Sequence, residues 1–171
     1  MKPVYLLTGQ PGTGKTSLIK QVIAATDINA GGFYTEEIRI RNIRAGFRIV
    51  TLDGREAVLS HINFNKRFQV GKYGVDINVL NEVGVIAVLK AAECSNLVIV
   101  DEIGRMELLS EDFRSTVQTI VNSSKRTLGT IMRNTDPFTD NIKRQAQVNL
   151  VTLTRDNYDR ILRDVKEWLA A

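Results

Sequence analysis

Gly9-Gln10-Pro11-Gly12-Thr13-Gly14-Lys15-Thr16 is a complete G-x-x-x-x-G-K-[ST] match. It follows the apolar run Val4-Tyr5-Leu6-Leu7 directly and precedes a helical pattern of Leu18, Ile19, Val22 and Ile23. A glycine-rich turn could merely join a strand to a helix. The full motif in a strand–loop–helix setting points instead to a phosphate cradle. Glycines let backbone N–H groups turn inward around a polyphosphate without Cβ clashes. The following helix adds its N-terminal amides and the positive end of its dipole. Gly9 to Thr16 are thus the expected nucleotide-binding residues: Lys15 reaches the β- and γ-phosphates, and Thr16 offers its hydroxyl to Mg²⁺.

A second element lies further on. Asn96-Leu97-Val98-Ile99-Val100 is apolar on both faces, as a central parallel strand is, and it runs into Asp101-Glu102. Open α/β sheets present ligand groups at such strand tips. Asp101 is the expected Mg²⁺ partner, and Glu102 the group that orients or deprotonates an attacking water. Alone, this pattern could be a strand dropping into a polar turn; the upstream phosphate loop gives it chemical meaning. A glutamate directly after the metal aspartate also implies an extra strand between the two motif strands. Arg126 to Met132 is the candidate, with Thr130 as a sensing hydroxyl and Arg133 as a cation near the transferred phosphoryl group.

Strand-like runs alternate with helical patterns, which predicts an α/β fold: a mostly parallel sheet with helices on both faces. Strands are expected at Val4 to Thr8, Gly32 to Glu37, Asn96 to Val100, Arg126 to Met132 and Val148 to Thr152. Helices are expected at Gly14 to Ala25, Val79 to Ala92, from Ser110 onward, at Pro137 to Arg144 and from Arg155. Gly46 to Thr51 and Arg55 to Leu59, around Asp53-Gly54, form a small antiparallel β-hairpin insertion. His61 to Asn78 reads as a long loop. Trp168 lies on the core face of the last helix and reads as a packing anchor.

The chain has 171 residues, which suits one domain covering residues 1–171. Its 43% hydrophobic and 25% charged residues are ordinary for a globular protein, and no apolar run is long enough to span a membrane. A strand and the phosphate loop open the chain at once, so a cleaved leader would remove the motif, and a cytoplasmic location is expected. One cysteine, Cys94, and one histidine, His61, leave no material for a disulfide or a histidine-pair metal site. Cys94 reads as a buried small residue, and His61 as a surface or packing residue. The net charge of +4 is mild. Arg39, Arg41, Arg44 and Arg48 cluster without interleaved aromatics, so they read as the solvated face of a hairpin rather than a nucleic-acid platform.

Several segments beyond the two motifs are distinctive: Gly32-Phe33-Tyr34-Thr35-Glu36-Glu37, Gly46-Phe47-Arg48-Ile49-Val50, Val70-Gly71-Lys72-Tyr73-Gly74-Val75 and Asp101-Glu102-Ile103-Gly104-Arg105-Met106-Glu107-Leu108. Together they resemble the small nucleoside-triphosphatases first described from thermophiles, a family with an animal cancer-related member. The resemblance implies a RecA-like P-loop core and Mg²⁺-dependent hydrolysis of nucleoside triphosphates with little base selectivity. It matches Gly9 to Thr16, Asp101 and Glu102 to the family's functional positions. The family usually has lysine where this chain has Arg105, so only a basic role carries over. Glu36 and Glu37 either line the site or end a strand.

The leading expectation is a triphosphatase acting on free nucleotides as a monomer or weak oligomer. A small nucleoside or nucleotide kinase, with Arg133, Lys143 and Arg144 as a lid, is the runner-up. A nucleotide-switched protein- or RNA-binding module, contacting its partner through the Arg39–Arg48 cluster, is the third.

Overall fold

The computed structural model describes residues 1–171. Val4 to Thr8 is buried at every position and forms β1 (Val4–Thr8). The other strands are β2 (Ala30–Ile40), β3 (Ile43–Thr51), β4 (Glu56–His61), β5 (Gln69–Val70), β6 (Tyr73–Val75), β7 (Leu97–Ile103), β8 (Thr127–Ile131) and β9 (Val148–Thr152). All join one sheet in the order β5-β6-β4-β3-β2-β7-β8-β1-β9. The strands from β2 to β9 pair in parallel. From β2 toward β5 every pairing is antiparallel. The expected extra strand is present: β8 lies between β1 and β7.

Side-chain alternation divides the core into two layers. Val4, Leu6, Val98 and Val100 face one side, against α3 (Ile86–Cys94), α4 (Glu111–Val121) and α5 (Pro137–Arg144). Tyr5, Leu7, Leu97 and Ile99 face the other, against α1 (Lys15–Ala24) and α6 (Tyr158–Ala170). Trp168 is a packing anchor as expected: its ring sits 5.5 Å from that of Tyr5, and Nε1 donates to Lys2 O at 2.9 Å. Ser110 caps α4 by accepting from the Phe113 amide at 3.0 Å. Asp136 caps α5, with Pro137 at the first position.

Four expectations need correction. The antiparallel part is larger than a hairpin insertion, because β2 itself turns back into β3. Arg41 and Asn42 make that turn with φ of 50° and 63°, the two positive values a two-residue primed turn demands. Asn-Gly is the usual signal there, and Arg-Asn hides it. The segment from His61 to Asn78 is not all loop, since β5 and β6 extend the sheet within it. The expected helix over Val79 to Ala92 is longer and irregular: α2 (Ile77–Val79), a π-helical segment (Leu80–Val85) and α3 follow without a break. Gly84 lies in the π segment, where a Cβ would approach Leu80, Ile49 and Phe33 within 3.4 Å. Cys94, finally, is exposed rather than buried, at the last position of α3.

Candidate active site

The phosphate loop joins β1 to α1 at the C-terminal edge of the parallel strands. Gly12 and Gly14 have φ of +77° and +90°, values that glycine adopts without a Cβ penalty. A Cβ on Gly9 would lie 2.5 Å from Leu153 O, so that position is closed to any side chain. Gly14 is the N-cap of α1, and no side chain caps the helix. The first amides of α1 therefore stay available to an anion. Lys15 Nζ folds over the loop and donates to Gly9 O and Gln10 O, each at 3.1 Å. Thr13 Oγ1 donates to Gln10 O at 2.9 Å.

β7 brings the acidic pair to the same place. Thr16 Oγ1 donates to Asp101 Oδ2 at 2.6 Å, joining residues 85 positions apart. Asp101 is 2% exposed, and Thr130 Oγ1 donates to its other oxygen at 2.5 Å. Thr130 is fully buried on β8, where its hydroxyl holds Asp101 in place. Burial pushes the Asp101 carboxyl upward from its ordinary value; the hydrogen bonds from Thr130 and Thr16 and the charge of Lys15 oppose that. Glu102 is also raised, first by burial and then by the charge of Asp101, against Lys15. A Cβ on Gly104 would stand 2.5 Å from Glu102 Oε1, so the bare glycine makes room for that carboxylate.

These residues open into a cleft of about 1100 Å³. Of its 20 lining residues only 2 are hydrophobic, which suits a highly charged ligand and not an apolar one. All the expected loop residues except Thr13 line it, as do Asp101, Glu102 and Arg133. Thr13 turns its hydroxyl back into the loop.

Some of the lining was not expected. Lys20 lies one turn after Thr16 on α1, a spacing that signals a shared face. Its Nζ pairs with Glu36 Oε1 at 2.5 Å, and Arg48 Nε reaches Glu36 Oε2 at 3.1 Å. The Lys20 hydrogen bond, ahead of the others, holds the Glu36 carboxyl below its usual range. Glu37 pairs with Arg44, and with Arg39 Nη2 at 2.7 Å. Burial works against its ionisation, but the bonds from Arg44 and Arg39 keep its carboxyl low. Glu36 and Glu37 therefore line the cleft and lie within β2 rather than at its end. Three of the four arginines in the basic cluster are engaged by these two glutamates, so the cluster is not a free cationic surface.

The lid expected of a kinase is not assembled. Lys143 Nζ pairs with Asp140 at 3.6 Å and approaches Arg133 O and Asn134 O at 3.4 Å, tying down the β8–α5 connection. Neither Lys143 nor Arg144 lines the cleft.

Glu107 is the group that sequence reasoning missed. It sits on a 3₁₀ turn (Glu107–Leu109) just after β7 and is 5% exposed. Burial, then the charge of Glu102, push its carboxyl up to about 8. The one available signal was a glutamate set between the apolar residues Met106 and Leu108. No helix is long and apolar enough to cross a membrane.

Known proteins share this architecture. Residues 4–166 match the family model described as NTPase. The chain is 46% identical to the nucleoside-triphosphatase THEP1 of Thermotoga petrophila over 160 residues, covering 94% of this chain and 89% of that protein. It is 33% identical to the human cancer-related nucleoside-triphosphatase over 180 residues, covering 93% of this chain and 92% of the relative. The crystal structure of THEP1 from the hyperthermophile Aquifex aeolicus superposes with a TM-score of 0.90 at 34% identity, covering 98% of this chain and 99% of that one. The solution structure of the human protein gives 0.81 at 31% identity, covering 99% and 97%. With the phosphate loop, the acidic strand tip and the intervening strand all in place, the chain belongs to the P-loop NTPase family of nucleoside-triphosphatases.

Proposed function

We propose that the chain hydrolyses nucleoside 5′-triphosphates to the diphosphate and phosphate, with Mg²⁺ and with broad base tolerance. The bond of 2.6 Å between Thr16 and Asp101 carries the reading. It joins the hydroxyl and the carboxylate that such a site uses around a phosphate-bound cation.

The donor set fits Mg²⁺. No cluster of three or more acidic, histidine or cysteine ligands exists, and none is required. Mg²⁺ takes one or two protein oxygens and fills its shell with water and phosphate. Thr16 and Asp101 would hold it, and it would neutralise charge on the β- and γ-phosphates. The amides of Gly12 to Lys15 grip the polyphosphate. Lys15 leaves the loop carbonyls for the phosphate oxygens, exchanging neutral acceptors for charged ones. Glu102 orients the water and accepts its proton as oxygen attacks the γ-phosphorus in line. Arg133 lines the same cleft and places positive charge there without a second copy, which favours action as a monomer or weak oligomer.

Base tolerance follows from where the lining groups lie. The cleft is built for phosphate, which every nucleotide shares. The substrate pool also supports a cytoplasmic setting. Residues 1–171 act as one unit, since the sheet is continuous from β5 to β9.

The test is Glu102→Gln, assayed for nucleotide binding and phosphate release. We expect binding to persist and turnover to fall by about 10²–10⁴-fold. Retained turnover would remove Glu102 from the mechanism. In the same assay, ATP, GTP, CTP and UTP should give kcat/KM values within about tenfold of one another; one strongly preferred base would refute the tolerance.

A further inference from the structure

β2 and β7 stay paired only as far as Phe33 and Val100. Beyond them the cleft opens between Glu36 on one strand and Asp101 on the other. Both carboxylates are tied to α1. Thr16 of that helix donates to Asp101 at 2.6 Å, and Lys20, one turn later, pairs with Glu36 at 2.5 Å. The Lys20 ammonium also stands 4.5 Å from the centre of the Tyr34 ring, on the same face of β2 as Glu36. Helical side chains lean toward the start of their helix, so the long arm of Lys20 has the reach to swing toward Thr16 and Asp101. Its charge is already felt there. Burial raises the Asp101 carboxyl; the hydrogen bonds from Thr130 and Thr16, then the charges of Lys15 and Lys20, lower it.

Glu36 is the one carboxylate that Lys20 pairs with. Of the other carboxylates lining the cleft, Glu37 is taken by Arg39 and Arg44, which leaves Asp101 and Glu102. A Lys20 released from Glu36 would turn to that acidic tip and compete there with a divalent cation. Arg48, the second partner of Glu36, lies outside the cleft lining and keeps Glu56 at 4.0 Å, so its release would not have this effect.

We propose that Glu36 is a positioning residue for the metal: it holds the Lys20 ammonium back from Asp101, so that a divalent cation and not the lysine neutralises that carboxylate. The proposal rests on the reading above, in which Thr16 and Asp101 hold Mg²⁺ beside the nucleotide.

The test reads binding, not turnover. ADP carrying a fluorescent label on its ribose is bound to each protein with and without Mg²⁺, and the factor by which saturating Mg²⁺ tightens ADP reports the metal's hold on the site. Glu36→Gln should cut that factor by about tenfold, the effect of Lys20 occupying the acidic tip about nine-tenths of the time. Adding Lys20→Gln to that variant removes the competitor and should restore the factor to within about twofold of wild type. An undiminished factor in Glu36→Gln overturns the proposal. A double variant as weak as Glu36→Gln overturns it as well, because Glu36 would then act on the metal by its own charge and not through Lys20. Should Glu36→Gln fail to fold, Lys20→Gln alone decides: the proposal expects Mg²⁺ to tighten ADP more than in wild type, and an equal or smaller factor overturns it. No tightening by Mg²⁺ in the wild-type protein overturns the metal reading itself.

Discussion

Glu107 shows how a single residue can set a pH response. Its native carboxyl titrates near 8, above the ordinary glutamate value of about 4.3. The folded state therefore holds more protons than the unfolded state between those limits. Stability attributable to this group is greatest at and below about pH 4, falls as pH rises through that window and levels off above about 8. Glu107→Gln should remove that slope and stabilise the protein at pH 7 by on the order of 2 kcal/mol. Urea melts of both proteins from pH 5 to 8.5 will show it; parallel curves would refute the buried neutral acid. The phosphate-loop glycines, Lys15, Thr16, Asp101 and Glu102 were legible because each chemical role dictates a residue type at a fixed spacing. Glu107 was not, because a lone glutamate says nothing of burial until the turn after β7 folds it inward. Thr130 was legible as a polar group near the site, but its partner was not: pairing across strands depends on register, which sequence does not print.

At the scale of elements, the tip of β7 depends on Gly104. A methyl group there would meet Glu102 Oε1 at 2.5 Å, far inside van der Waals contact. Gly104→Ala should displace the Glu102 side chain while leaving the phosphate loop untouched. We expect kcat to fall by at least about tenfold with KM nearly unchanged, since the proposed mechanism puts nucleotide grip and water positioning on separate elements. A raised KM at constant kcat would show that the two elements are not independent. Central elements were the most legible ones. β1 and the first four residues of β7 are buried on both faces and read as apolar runs, while α5 carries its own start signal in Pro137. The antiparallel strands read poorly. β5 and β6 hold only two and three residues, too few for any period to register. The β2–β3 turn opens with Arg41 at positive φ, a conformation its residue type seldom takes.

At the scale of the molecule, the two core layers lie back to back on one sheet, so neither can be lost without exposing the other face of β1 and β7. Thermal or urea unfolding should therefore follow one transition, identical by fluorescence of Trp168 and by far-ultraviolet circular dichroism. Two separated transitions would divide the chain into independent units. The cleft itself spans a seam. Its phosphate-binding edge belongs to the parallel half, and Thr35, Glu36, Glu37, Arg44 and Phe47 come from the antiparallel half. Sequence motifs disclosed the first edge and were silent on the second, which has no fixed spacing to recognise.

The position of β1 has one more consequence. This strand is synthesised before the other eight, yet its two neighbours, β8 and β9, are the last two strands of the sheet to be made. During synthesis the glycine turn that follows it has no flanking strands to fix its shape. Translation adds residues at about 5–20 per second, so the nascent polypeptide spends several seconds as a poor ligand trap. Nucleotide capture becomes a property of the finished molecule alone, and abundant cellular triphosphate cannot template the early steps of folding.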